Sequence, residues 1–533
     1  MPQPAQDHLH RLIHSMSRLE KRYFKLYTSR HAAAGTSNHQ LLFDAVAAMP
    51  VYDLGKLRKQ FEGCAFMRRF AITKRRLYEA VLNSLDAFHA GSSVDDKLHR
   101  ALHHVELLFD RALHADAAKV LHGVRALARS NDRQAILLLV AEWERRIMER
   151  SNYSGVEAMD LAQRAADCDA MVQEWQQVEH LWQIKSRSFM LLYRTGQAPG
   201  PKELTELEAL AREPMLAEGT PLHTARARFL QHHVRSAIAY AGNDLTTCEY
   251  QLTAAAEVLR REQDQFRNEP ALMLGVMGDL AHVRMRLGRH QQALDGFRAF
   301  RKLPLLLTAA PNRDLEMKLF VMGTSLELSV HAAKGDFNLG MQRLPELEAG
   351  LTLYGHRISA VRRVELLLQA AYASFGAGHP DQALRLCNRM LGEKDLGSHA
   401  DLYALGRMLN LVVLVEMGKW GLLEYLLRNT RRHLKQHGTI FHSEPLLLDH
   451  VQALSKAKAA PARQTLWTRL SNELAALAPD SPEAAALDHL DLLSWARGHA
   501  DDKPFAEVVK ARWGSRAQGG TRKLRGPREK RAA

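Results

Sequence analysis

The chain has 533 residues, 46% hydrophobic and 25% charged, with a formal net charge of +14. That length exceeds what one ordinary hydrophobic core fills, and the balance of apolar and charged residues excludes a disordered chain. The four cysteines, Cys64, Cys168, Cys248 and Cys387, form no CxxC pair and no dense framework, which argues against a disulfide scaffold or a cysteine zinc site. They read as small buried apolar side chains.

Met1 to Asp7 lack the basic and apolar pattern of a secretion signal. The longest clean apolar run, Ala135 to Ala141, is far shorter than the ~20 residues of a membrane-spanning helix. A cytoplasmic protein without membrane insertion is expected.

Residues 1–92 read as a helical region outside any repeat. Ser17-Arg-Leu-Glu20 is a capping-box pattern, in which hydroxyl and carboxylate satisfy free N–H groups at a helix start. It opens a helix expected to place Leu19, Tyr23, Leu26 and Tyr27 on one face. Ala32 to Ser37 reads as a loop, Asn38 to Met49 as a short helix ended by Pro50, and Asp53 as the cap of another through Phe61. After Gly63 a longer helix, with Thr73 as its expected cap, carries Leu77, Tyr78, Val81, Leu82, Leu85 and Phe88.

This stretch is strongly basic. Lys56, Arg58, Lys59, Arg68, Arg69, Lys74, Arg75 and Arg76 stand against Glu62 alone. Two helices joined by a turn, with Arg75 and Arg76 on the polar face of the second, would set a basic end against phosphate. The joint is loose for a helix-turn-helix, and no Asn or Gln early in the second helix is placed to read a base. A solvated basic face accounts for the same residues.

Ser17, the run Glu20 to Leu26, Leu42-Phe43-Asp44 and the Leu77 to Leu85 helix resemble the N-terminus of a family of uncharacterised bacterial helical-repeat proteins. Glu106-Leu-Leu-Phe109 and Trp143-Glu-Arg-Arg146 extend the resemblance over roughly the first 150 residues. It implies a helical-repeat fold and no established activity, cofactor or catalytic residue.

From 93 to 513 the chain reads as an array of TPR-like helix pairs. Such a unit needs Gly at its turn and a small residue about five positions later, where two backbones cross. Gly288-Arg-His-Gln-Gln-Ala293 with Phe297, and Gly378-His-Pro-Asp-Gln-Ala383 with Cys387, fit best, and Leu280-Ala281 and Ala370-Ala371 precede them. Weaker copies start at Ala112, Gly242, Gly335 and Gly418, and the steps from 242 onward are 46, 47, 43 and 40 residues. Turns near Asn152 and Gly196, and breaks near Ala460-Pro461 and Gly498-His499, continue the spacing. The expected fold is therefore all-α, a TPR-like α-solenoid of about nine antiparallel pairs, each longer than the 34 residues of a standard unit. Between Leu402 and Met417 the residues Leu405, Met408, Leu409, Val412, Val413 and Val415 predict one buried stripe, with Arg407 and Asn410 between them.

Residues 514–533 hold seven Lys and Arg against Glu529, a local charge of +6, and read as a disordered basic tail. Such a tail either keeps the chain in solution or attracts nucleic acid in a salt-sensitive way.

No phosphate loop, GxGxxG, HExxH or GxSxG pattern occurs. His10 with His14, and His99 with His103, are spaced to share a metal but lack a third ligand. Glu142 and Arg146 form an ordinary surface helix pair. No enzyme, cofactor or metal site is expected. In a TPR-like array the first helix of each pair lines the concave side, which makes His282, Met285, Tyr372 and Phe375 the candidate groove residues. Large apolar side chains there also serve simply to pack helices together. The expected function is a non-catalytic scaffold for a peptide or protein. The alternative is a regulator touching nucleic acid through Lys56, Arg58, Lys59, Arg75, Arg76 or the tail, with the array as sensor.

Overall fold

The computed structural model describes residues 7–30, 38–195, 201–303, 312–393, 400–437, 439–477, 487 and 489–522, and among these every regular element is helical. The chain divides into two compact units, Met1–Glu157 and Ala158–Ala533. This division falls after the first three helices of the expected array.

The first unit comprises α1 (His8–Ser15), α2 (Arg18–Arg30), α3 (Asn38–Ala48), α4 (Leu54–Gln60), α5 (Phe70–Phe88), α6 (Val94–Phe109), α7 (His114–Ser130) and α8 (Gln134–Arg150). The capping box is formed. The Ser17 N–H donates to Glu20 at 2.6 Å, and the Glu20 N–H donates back to the Ser17 hydroxyl at 3.2 Å. The face it launches differs from the expected one. Leu19 and Leu26 are 68% and 56% exposed, whereas Phe24 is fully buried with its ring 4.3 Å from that of Phe43. Two apolar stripes overlap on α2, and the one carrying the largest ring that fits α3 takes the core. Asp53 caps α4 as expected, accepting from the Lys56 N–H at 3.1 Å. Thr73 does not cap. It lies inside α5, where its hydroxyl donates to the Arg69 carbonyl at 3.3 Å, because the preceding short 3₁₀ turn Ala65–Arg69 lets α5 begin at Phe70.

The second unit comprises α9 (Ala158–Thr195), α10 (Pro201–Ala211), α11 (Ala225–Ala241), α12 (Leu245–Arg261), α13 (Gln263–Phe266), α14 (Pro270–Arg286), α15 (His290–Lys302), α16 (Arg313–Lys334), α17 (Phe337–Met341), α18 (Leu344–Tyr354), α19 (Ala360–Gly376), α20 (Pro380–Leu391), α21 (Ala400–Glu416), α22 (Trp420–His437), α23 (Ser443–Lys456), α24 (Ala460–Ala475), α25 (Leu492–Asp501) and α26 (Phe505–Arg522). Consecutive helices pack in pairs, α11 on α12, α14 on α15, α19 on α20, and α24 on α25. One expected pair is missing, because α9 runs for 38 residues without a turn. The turn expected at Gly196 lies outside the described residues. Helix α26 extends to Arg522 across the start of the segment read as a tail, and residues 523–533 also lie outside the described residues.

One turn geometry closes most junctions. At Ala112, Asp132, Asn152, Asn243, Gly288, Gly335, Gly378 and Gly418 φ lies between +50° and +80°. In each case the following N–H returns to the carbonyl five residues back, as His379 does to Ser374 at 2.9 Å and Lys419 to Leu414 at 3.1 Å. This is the Schellman arrangement, which satisfies the last free carbonyls of the helix. Glycine takes it without steric cost, which is why the junctions at 288, 335, 378 and 418 are legible in sequence. Small residues then let the paired helices close, and Ala281, Ala293, Ala370, Ala371 and Ala383 are all fully buried.

Helix α21 departs from its expected single stripe. Residues from Ala404 to Val415 are buried all round apart from half-buried Arg407, and even Asn410 is 5% exposed, its amide donating to the Asn388 side chain at 3.3 Å. It is enclosed by α19, α20, α22 and α23, and a helix surrounded on every side has no solvent face to keep polar. Buried carboxylates tie the layers at intervals. Glu249 on α12 pairs with Arg284 and Arg289, Glu327 on α16 with Arg301, and Glu444 on α23 accepts the N–H groups of Ile440 and Phe441.

Candidate partner-binding groove

Helices α14, α16 and α19 are the first members of three successive pairs, and each presents a side to the C-terminal helices of the same unit. Their contributions begin with His282 and Met285 on α14, continue with Leu328, Ser329, Ala332 and Ala333 on α16, and end with Leu368, Gln369, Tyr372 and Phe375 on α19. The four sequence-predicted groove residues therefore lie on one set of helices. Tyr372 and Phe375 are buried there and His282 and Met285 half-buried, with residues of α26 lining the same cavities.

Tyr372 and Phe375 are 7% and 8% exposed, packed against Phe505 of α26 together with Phe337, the ring centroids of Phe505 lying 5.3–6.2 Å from the other three. The Tyr372 hydroxyl accepts the Asp491 N–H at 3.2 Å, and burial pushes its ionisation far up. His282 and Met285 border a cavity of about 110 Å³ that α26 closes with Val509, Arg512 and Trp513. The His282 imidazole meets the Tyr240 hydroxyl at 3.2 Å and stacks 6.2 Å from His489. Burial, with His489 and Arg286 adding to it, brings His282 down to about 3. It is neutral at physiological pH.

A second, open groove of about 880 Å³ runs past the junctions at Gly335 and Gly378 and along the α25–α26 turn. Apolar Leu339, Phe375 and Pro380 share it with Asp336, Lys503 and Lys510. At one end Glu416 accepts from the Trp495 indole N–H at 2.6 Å and meets His499 Nε2 at 2.5 Å, while Trp467 stacks on the His499 ring at 4.1 Å. Burial opposes ionisation of Glu416, but the His499 and Trp495 contacts outweigh it and hold the carboxyl below its ordinary range. The lining is amphipathic, and suits a segment with apolar anchors and charges of both signs.

In the first unit Lys56, Arg58, Lys59, Arg75 and Arg76 are all exposed, the first three on α4 and the other two on α5. Arg75 pairs with Glu79 at 3.0 Å, and Lys74 with Asp7, the cap of α1. The first of the two histidine pairs meets backbone carbonyls. His10 and His14 meet the Met49 and Val46 carbonyls at 2.8 and 3.2 Å, where α3 ends. His103 faces Glu106 at 3.2 Å. Among the described residues no group of three or more His, Cys, Asp or Glu could hold a metal ion, and no helix is long and apolar enough to cross a membrane.

The residues that sequence reasoning missed are Phe505, Val509 and Trp513. Their i, i+4, i+8 spacing directly after Pro504 was the available signal. No protein-family model matches the chain, and no curated protein matches it.

Proposed function

We propose that the chain is a non-catalytic scaffold of TPR-like helix pairs that receives a protein or peptide partner in a groove of the array, of the kind of bacterial helical-repeat protein that its N-terminus resembles. The observation that carries this reading is the open amphipathic groove of about 880 Å³ beside the junctions at Gly335 and Gly378. Stacked pairs build such surfaces because each unit adds one helix to a common face. A photocrosslinking residue at Leu339, which is 42% exposed in the groove, is expected to trap one discrete partner. The same probe at Tyr250, exposed and outside the groove, serves as control. Equal adducts from both positions would remove the reading.

A second reading rests on the exposed basic side chains of α4 and α5. It makes the chain a regulator that touches nucleic acid through Lys56, Arg58, Lys59, Arg75 and Arg76. Counterion release then makes affinity for duplex DNA or RNA fall steeply between about 50 and 200 mM salt. Replacing all five by Ala is expected to abolish binding, and unchanged affinity would discard this reading.

A further inference from the structure

Helix α26 is held differently from α25, the helix before it. Helix α25 is built into the core, with Leu492, Ser494, Trp495, Ala496 and Gly498 buried. In α26 Val509 alone is buried among the residues whose side chains are described, and Phe505, Ala506, Val508, Arg512 and Trp513 are half-buried. A turn of exposed residues, Asp502-Lys503-Pro504, with Asp502 at φ +50°, joins the two helices. The packing below α26 is incomplete, and the cavity of about 110 Å³ remains there. Protein interiors are otherwise close-packed.

What α26 does bury is an anchor stripe. Phe505, Val509 and Trp513 recur at i, i+4 and i+8, the spacing with which an amphipathic helix occupies a groove. Phe505 enters the aromatic pocket of Phe337, Tyr372 and Phe375, and Trp513 stacks on His290 with ring centroids 3.5 Å apart. Charges follow the same logic, with Lys510 3.4 Å from Asp336 and Arg512 paired with Asp491. The wall offers small residues where the helix backbone approaches. A Cβ on Gly335 would lie 2.8 Å from the Ala506 carbonyl oxygen.

We infer that α26 is an internal ligand, occupying a helix-binding groove built from α14, α15, α16, α17 and α19 that accepts in exchange a partner helix of the same chemistry. That partner carries aromatic, aliphatic and aromatic anchors at i, i+4 and i+8, with basic residues at i+5 and i+7 to meet Asp336 and Asp491. The inference rests on the scaffold reading and adds to it the kind of segment bound and the element it displaces.

The test uses the full chain and a fluorescent peptide of residues 503–516. The double variant Phe505→Ala, Trp513→Ala loosens α26 and is expected to bind the peptide at least ~10-fold more tightly than the native chain, since the groove no longer has to be vacated. A peptide with all three anchors replaced by Ala is expected not to bind. Absence of binding to a folded double variant, or equal binding of the anchor-less peptide, overturns the inference. Should the variant not fold, hydrogen exchange on the native chain decides. Amides of residues 506–513 are expected to exchange ~10-fold faster than those of 493–500, and faster again under excess peptide. Exchange of α26 as slow as that of α25 overturns it too. A partner trapped at Leu339 without peptide binding leaves the scaffold standing and removes the internal ligand. Peptide binding without such a partner does the reverse.

Discussion

Phe337→Ala is expected to destabilise the second unit by about 3–5 kcal/mol, among the largest effects of any single truncation in the chain. The ring is 2% exposed and sits where three structural needs meet. It lies over Gly376, whose missing side chain makes room for it, since a Cβ there would stand 2.3 Å from the ring. It also contacts Tyr372 at 5.6 Å between centroids and Phe505 at 5.4 Å, so its loss opens a cavity beneath both α19 and α26. Neither side of that cavity can collapse easily, because α17 is held close to α16 by the Schellman turn at Gly335. Urea denaturation of the full chain should place the midpoint of this unit well below that of the native protein. Phe505→Ala should cost far less, because that ring is only half-buried. A comparable loss from both would contradict the distinction between core and internal ligand.

Acidification is expected to weaken the second unit from about pH 6.5 downward. Burial brings His233 down to about 4, with Lys185 adding to it, and His282 down to about 3, so both imidazoles are neutral in the folded chain. Unfolded, each takes a proton near pH 6.5. Below that pH the unfolded state binds more protons, and stability is lost by at most about 1.4 kcal/mol per pH unit for each histidine until the folded group titrates. Asp279 acts in the opposite sense. Desolvation raises its carboxyl to about 6, so as pH falls below 6 the folded state gains a proton that the unfolded chain takes up only near 3.8. Its own surface meets solvent, and screening keeps this offset small. The net direction is loss. Thermal midpoints measured from pH 7 to 4.5 should fall, more gently in His282→Gln and more steeply in Asp279→Asn. A flat native profile would show that the two imidazoles are hydrated in the folded chain.

Much of the helical architecture was legible in residue order because its determinants are local. A glycine at φ +71° or +80° announces a helix end, and the alanines five positions later announce a close crossing, so the junctions at Gly288 and Gly378 could be placed to the residue. The capping box at Ser17 and the cap at Asp53 are equally local. Legibility failed where non-glycine residues take the same turn, as Asp132 does at φ +54°, and where no breaker marks that α9 simply continues. It failed again on α2 and α21, because which apolar stripe is buried depends on what surrounds the helix.

The candidate groove divides along the same line. His282, Met285, Tyr372 and Phe375 were chosen from their positions relative to the turns; the first three border one cavity and Phe375 lines the neighbouring groove. What covers them could not be read from spacing. Phe505 lies 130 residues beyond Phe375 and Trp513 lies 223 beyond His290. Local sequence carries periodicity, caps and turn chemistry, since each depends on neighbours within a few residues. Only the tertiary structure brought the last helix back over the first helices of earlier pairs, because that contact depends on the accumulated path of every helix between them.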